Sequence, residues 1–183
     1  LQDAVGEAYT VRWFEGGAQR WRLARLIFDN AKLRLTMPEA YAVHRDIIAW
    51  QARFSEDRVP DQALGLDAMT LRLMRWVMVS WQRVKFFNTW LAGHLTPRIE
   101  MELLPGLFCA AHFAIQADRA PETLDDYVAA GRAVQRFWLT ATSLGLQLQP
   151  EMTPLIFSRY VREGIQFSRM PGATETAAKL GER

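Results

Sequence analysis

The feature that most constrains this chain is the passage from Thr123 to Pro150, where one residue periodicity gives way abruptly to another. Thr123 has the hydroxyl needed to cap a helix. After it, Leu124, Val128, Gly131, Val134 or Gln135, Trp138 and Ala141 recur at helical spacing. Gly145 then stands where a helix closes in a left-handed conformation. Leu146 to Pro150 switches at once to period two, the pattern of a short strand. Upstream, Leu107–Gln116 has the length and flanking turn residues of a buried strand. Strand, helix, strand in that order favours an α+β or α/β fold over a pure helical bundle.

The rest of the chain reads as follows. Tyr9–Glu15 is β-prone and stops at Gly16 and Gly17. From Ala18 to about Leu33, Trp21, Leu23, Ala24, Ile27 and Ala31 follow a helical repeat. Thr36 and Glu39 have the spacing of a capping box, which would start a second helix running through about Gln51 with Tyr41, His44 and Ile48 on one stripe. Ser55–Gly65, with Pro60 and Gly65, reads as a surface loop. Asp67 can then cap a single long helix, Met69–Trp90. Its stripe of Leu73, Trp76, Val77, Ser80, Val84 and Phe87 is widened by Trp81 and Trp90. A helix apolar over so much of its circumference is expected between layers or between subunits.

Length and composition bound the function. The chain has 183 residues, half of them hydrophobic and 23% charged, with no Pro/Gly/Ser linker, so a single soluble domain over 1–183 is expected. A net charge of +2, with acids and bases interspersed, gives no electrostatic reason to invoke nucleic acid. The most hydrophobic stretch, Met69–Leu91, contains Arg72, Arg75, Arg83 and Lys85. Each central cation would cost roughly 2.5–3.5 kcal/mol in a bilayer, so no membrane partner is expected. No secretory signal opens the chain, which points to the cytoplasm, although a start at Leu1 leaves room for a removed leader.

Most side-chain chemistries find no footing. Cys109 is the single cysteine, which excludes an internal disulfide, and on a strand it would face away from His112. His44 and His94 are isolated, so no metal site is expected. There is no Gly-x-Ser-x-Gly elbow, and Ser143 and Ser158 lack an adjacent base. Neither a phosphate loop nor a dinucleotide-binding glycine fingerprint is present.

The segment Asp118–Tyr160 nevertheless has a recognisable order of features: Ala130-Gly131, Gln135 in mid-helix, Leu144-Gly145-Leu146 at the helix end, and Gln149-Pro150-Glu151 after it. In that order it resembles the later half of nitroreductase-like flavoproteins. The upstream pieces RLARLIF, EAYAVHRDIIAW and RVPDQALGLD look similar to a diverged subgroup, so the resemblance covers roughly Gln19–Phe167.

The resemblance implies an α+β fold with a central antiparallel or mixed sheet flanked by helices, and long helices packed across a homodimer interface. It implies FMN at that interface and NAD(P)H as electron donor, with a small organic acceptor such as a nitroaromatic or quinone. In this chain the flavin-edge segment would be Gln149, Pro150, Glu151, Met152 and Thr153, whose main-chain groups can hydrogen-bond the ring. No catalytic side chain is implied, because flavin N5 carries the chemistry. The chain departs from the family in its phosphate anchors. No Arg-rich element stands near Leu1, and the last basic residues are Arg169, Lys179 and Arg183. These departures imply a domain lacking its flanking elements, or a degenerate member that binds flavin or dimerises without turnover. An unrelated helical interaction domain is the third reading.

Overall fold

Two short strands, distant in sequence, pair antiparallel and give one part of the chain its core. The computed structural model describes residues 1–91 and 93–182 and has an α+β fold. After a 3₁₀ turn at Gln2–Val5 come strand β1 (Tyr9–Phe14) and helices α1 (Gly17–Thr36) and α2 (Pro38–Ile47). Two-residue strands β2 (Ile48–Ala49) and β3 (Val59–Pro60) precede a 3₁₀ turn, Asp61–Leu64. Helices α3 (Ala68–Val77), α4 (Trp81–Trp90) and α5 (Leu95–Arg98) lead into a π-helical turn, Ile99–Leu103, and α6 (Leu104–Phe108). Strand β4 (His112–Ala117) and helices α7 (Leu124–Ser143), α8 (Thr153–Arg162) and α9 (Ala173–Gly181) follow. The chain divides into two compact units, Leu1–Arg20 with Ala110–Pro150, and Trp21–Cys109 with Glu151–Arg183.

In the first unit, β1 and β4 pair from Tyr9 opposite Ala117 to Phe14 opposite His112. Val5, Val11, Ala133 and Phe137 are buried together, with Trp13, Phe113, Ile115 and Leu148 packed against them. The Phe113 and Phe137 rings lie 4.5 Å apart between centroids, so α7 is fastened to the ribbon by aromatic contact. Arg136 donates to the carbonyls of Ala4 and Val5 at 3.0 and 2.9 Å, holding the N-terminal turn to the same helix. Helix α7 starts where the sequence places it. Thr123 accepts from the Asp126 N–H, and the Asp126 carboxylate accepts from the Thr123 N–H, a full capping box. The inward stripe, however, is Ala133, Phe137 and Ala141, while Leu124, Val128, Gly131 and Trp138 are exposed. Helix α7 therefore has apolar residues on two sides.

Two strand expectations in this region are corrected. Leu146–Pro150 forms no ladder, because alternation alone makes no strand without a partner, and Leu148 instead packs on the core. Leu107–Gln116 is also divided. Leu107 and Phe108 end α6, Cys109 caps it with its N–H on the Pro105 carbonyl, and the strand begins only at His112.

In the second unit the expected box at Thr36 and Glu39 is not formed. Helix α1 runs through Thr36, whose hydroxyl donates to the carbonyls of Lys32 and Leu33, and Met37 takes the N-cap of α2 without a side-chain bond. Pro38 starts α2 instead, its missing N–H being one that needs no partner there. Glu39 accepts from the Ser168 hydroxyl and the Arg169 N–H, tying α2 to the segment before α9. Burial raises the Glu39 pKa, but these bonds outweigh it and hold the carboxyl below its ordinary value. Helix α2 ends at Ile47, so Ile48 belongs to a strand paired parallel with Val59. The expected loop Ser55–Gly65 thus carries β3 and a 3₁₀ turn, and its Asp61 is buried. That carboxylate accepts from the N–H groups of Gln51 (2.8 Å) and Ala52 (3.2 Å).

The expected long helix Met69–Trp90 is two helices. Asp67 caps α3 as expected, accepting from the N–H groups of Met69 and Thr70. Val77 ends it, and Ser80 is the extended N-cap of α4, its hydroxyl accepting from the Arg83 N–H. A serine side chain that satisfies a helix start competes with continuing the preceding helix. Arg83 turns back across the break, donating to the Trp76 carbonyl at 3.0 Å with its guanidinium 4.6 Å from the Trp76 ring centroid. Tyr41, Met78 and Val84 form a buried cluster at this corner, and the Tyr41 hydroxyl donates to the Met78 carbonyl. Leu33, Met37, Phe157, Ala173 and Ala177 form a second cluster, which joins α1, α8 and α9. No helix among the described residues is long and apolar enough to cross a membrane.

Candidate functional site

The segment expected at the flavin edge begins where α7 stops. Gly145 takes the left-handed conformation (φ 74°), its N–H donates to the Thr142 carbonyl, and the Leu146 N–H donates to the Ala141 carbonyl. This Schellman stop is tolerated because glycine has no Cβ to clash at positive φ. Gln149 and Pro150 are exposed and close the first unit. Glu151 and Thr153 are half-buried and Met152 is exposed, all three in the second unit. Met152 is the N-cap of α8, its carbonyl accepting from the Ile156 N–H. None of the five lines the cavity described next.

The second unit contains a cavity of about 530 Å³, partly open to solvent, within the roughly 300–1,000 Å³ typical of small-molecule sites. The break at Ser80 helps build it, since α3 supplies Leu73, Met74 and Val77 and α4 supplies Val84 and Phe87. The end of α1 and helix α2 contribute Arg34, Tyr41 and His44, and the stretch after α4 contributes His94, Met101 and Glu102. Most of the wall is thus aliphatic, thioether or aromatic, with a few polar groups set into it.

Two of those polar groups are bonded to each other. Arg34 donates through Nη2 to Glu102 Oε1 at 2.7 Å; the Glu102 side chain is 7% exposed and that of Arg34 33%. Glu102 reaches this place through the π-helical turn Ile99–Leu103. A π turn inserts a residue and shifts the phase of the helix, an arrangement often found at functional sites. Arg98, one turn earlier, is 4% exposed and donates from Nε to the Phe28 carbonyl at 2.8 Å, with its guanidinium 3.6 Å from the Phe28 ring centroid. Burial pushes Glu102 up, against the opposing pull of Arg34 and Arg98. Burial, reinforced by the charge of Arg34, brings His44 down to about 4. His94 is lowered by burial and by Arg98 and Lys32. Two nitrogens of these residues, Arg34 Nε and His94 Nδ1, are buried with no hydrogen-bond partner among the described residues.

Other expected candidates are placed apart. Cys109 follows α6, its thiol directed at the Gly106 carbonyl, and His112 opens β4. No group of three or more His, Cys, Asp or Glu among the described residues could hold a metal ion. Arg169 and Lys179 are exposed, whereas Arg183 lies outside the described residues. In the sequence His44 and His94 stand as isolated residues, and nothing marks Arg34 and Glu102 as a pair. A pairing across a separation of 68 residues leaves no local signature. The one usable signal was the excess of apolar positions between Met69 and Trp90, more than one helix face can bury.

Compared with known proteins, the chain matches no family model, no curated protein and no solved structure.

Proposed function

We propose that this chain is an FMN-dependent oxidoreductase of nitroreductase-like kind, passing electrons from NAD(P)H to a small organic acceptor such as a nitroaromatic or quinone in the cytoplasm. The observation that carries this reading is the exit from α7. The Schellman stop at Gly145 is followed by a largely exposed segment, outside helix and strand, that ends at the N-cap of α8. Main-chain groups of Gln149, Pro150, Glu151, Met152 and Thr153 would meet the edge of a planar ring there, and a rigid proline helps keep them in place. When bound, FMN supplies the hydride chemistry, and the protein residues orient the ring and exclude water. The five residues include no cation, so the phosphate anchor would come from outside this segment.

The exposed apolar side of α7 supports the homodimer in this reading. Leu124, Val128 and Trp138 on that side are 78, 44 and 40% exposed. Apolar surface of this kind is what a subunit interface covers.

The deciding measurement is the visible absorbance of the purified protein before and after incubation with FMN, followed by NAD(P)H oxidation with a quinone as acceptor. A flavin spectrum with acceptor-dependent turnover is expected. A protein that remains colourless after incubation overturns the proposal, and bound FMN without turnover replaces it with the degenerate flavin-binding module.

A further inference from the structure

We infer that the cavity of the second unit is a binding site for an apolar monocarboxylate, with the carboxylate bonded to Arg34 and the hydrocarbon chain among Leu73, Met74, Val77 and Phe87. This inference does not rest on the flavin reading, since none of Gln149–Thr153 lines the cavity.

The wall chemistry selects the ligand class. A cavity of about 530 Å³ lined chiefly by aliphatic and aromatic side chains favours a hydrocarbon body. The same wall holds the Arg34 guanidinium, whose Nη2 is bonded to Glu102 while a third of the side chain remains exposed. An anionic oxygen in the cavity can meet the exposed part of that guanidinium with a charge-assisted bond.

Charge selects an acid over an alcohol or alkane. The charges felt most by the two imidazoles are cationic, Arg34 at His44 and Arg98 and Lys32 at His94. Glu102 faces Arg34 and Arg98 together, and Asp29 lies 3.7 Å from Arg98. A positive ligand group would have to compete with Arg34 for Glu102, whereas a single negative one meets Arg34.

Calorimetric titration of the full chain with decanoate, and separately with decanol, tests the assignment. Decanoate is expected to bind saturably at one site, about tenfold more tightly than decanol, the size of effect one charge-assisted bond gives. Arg34→Met should bring decanoate to the level of decanol while leaving decanol unchanged. The double variant Arg34→Met/Glu102→Met leaves no unpaired acid and should behave alike, which covers a single variant that fails to fold. Leu73→Trp, which fills the cavity from a half-exposed position, should abolish binding of both probes. The inference is overturned by absent saturable binding, by equal affinity for the two probes, or by decanoate binding that survives Leu73→Trp.

Discussion

Arg34 at the end of α1 and Glu102 in the π-helical turn, 68 residues apart in sequence, meet at 2.7 Å on the wall of one cavity. Their pairing joins two segments that have no shared local reason to approach. Removing one member leaves the other buried without its counter-charge, which is where the cost of such pairs arises. Because Arg34 is a third exposed, Arg34→Met is expected to lose about 1–3 kcal/mol, below the full cost of breaking a wholly buried pair. The double variant Arg34→Met/Glu102→Met should recover most of that loss. Urea denaturation of the two single variants and the double one, treated as a mutant cycle, measures the coupling directly.

His44 makes stability depend on pH. Its pKa is about 4 in the folded protein and near the ordinary 6.5 when unfolded. The unfolded chain therefore takes up a proton first as pH falls, and stability declines between about 6.5 and about 4. Above that window the contribution is fully present. Its total is at most about 3 kcal/mol by the usual conversion of pKa difference to free energy. His44→Gln should flatten the wild-type profile within this window. The two profiles running parallel from neutral pH to pH about 4 would contradict the assignment.

The break between α3 and α4 yields a third expectation. If the Ser80 hydroxyl is what starts α4, Ser80→Ala should cost about 1 kcal/mol, the usual value of an N-cap. The same substitution raises the intrinsic helix propensity of the linker. A gain in helical circular dichroism alongside the loss in stability would show the two helices competing to merge. Unchanged stability would mean that the corner is held by Tyr41 and Met78 alone.

What could be read from the sequence follows the range of the interactions. Thr123, Asp67 and Gly145 act on backbone groups within a few residues, so their roles were legible, and so were β1 and the bounds of α7 to within a residue or two. Thr36 and Ser80 show the limit of the same logic. Both are good caps, but Thr36 is the last residue of α1 and Ser80 interrupts a run that periodicity alone would continue. Leu146–Pro150 alternates without a strand to pair with. The cavity was not legible, because its polar wall is assembled from α1, α2 and the stretch after α4 by tertiary packing.

Adjacent residues of α7 separate folding from association. Phe137 is 1% exposed and touches Phe113 and Trp13, whereas Trp138 is 40% exposed on the opposite apolar side. Phe137→Ala is expected to cost about 3–5 kcal/mol through lost burial and the cavity left behind. Trp138→Lys should cost the monomer less than Phe137→Ala does, since 40% of Trp138 is exposed and the lysine stem can cover part of the same surface. If the exposed stripe is the homodimer surface, the same Trp138→Lys should shift sedimentation velocity from dimer to monomer, because a buried lysine at an interface is left unpaired. A Trp138→Lys protein as unstable as Phe137→Ala would place Trp138 in the core rather than on the surface. A protein whose sedimentation is unchanged by the substitution would move the subunit interface off this face of α7.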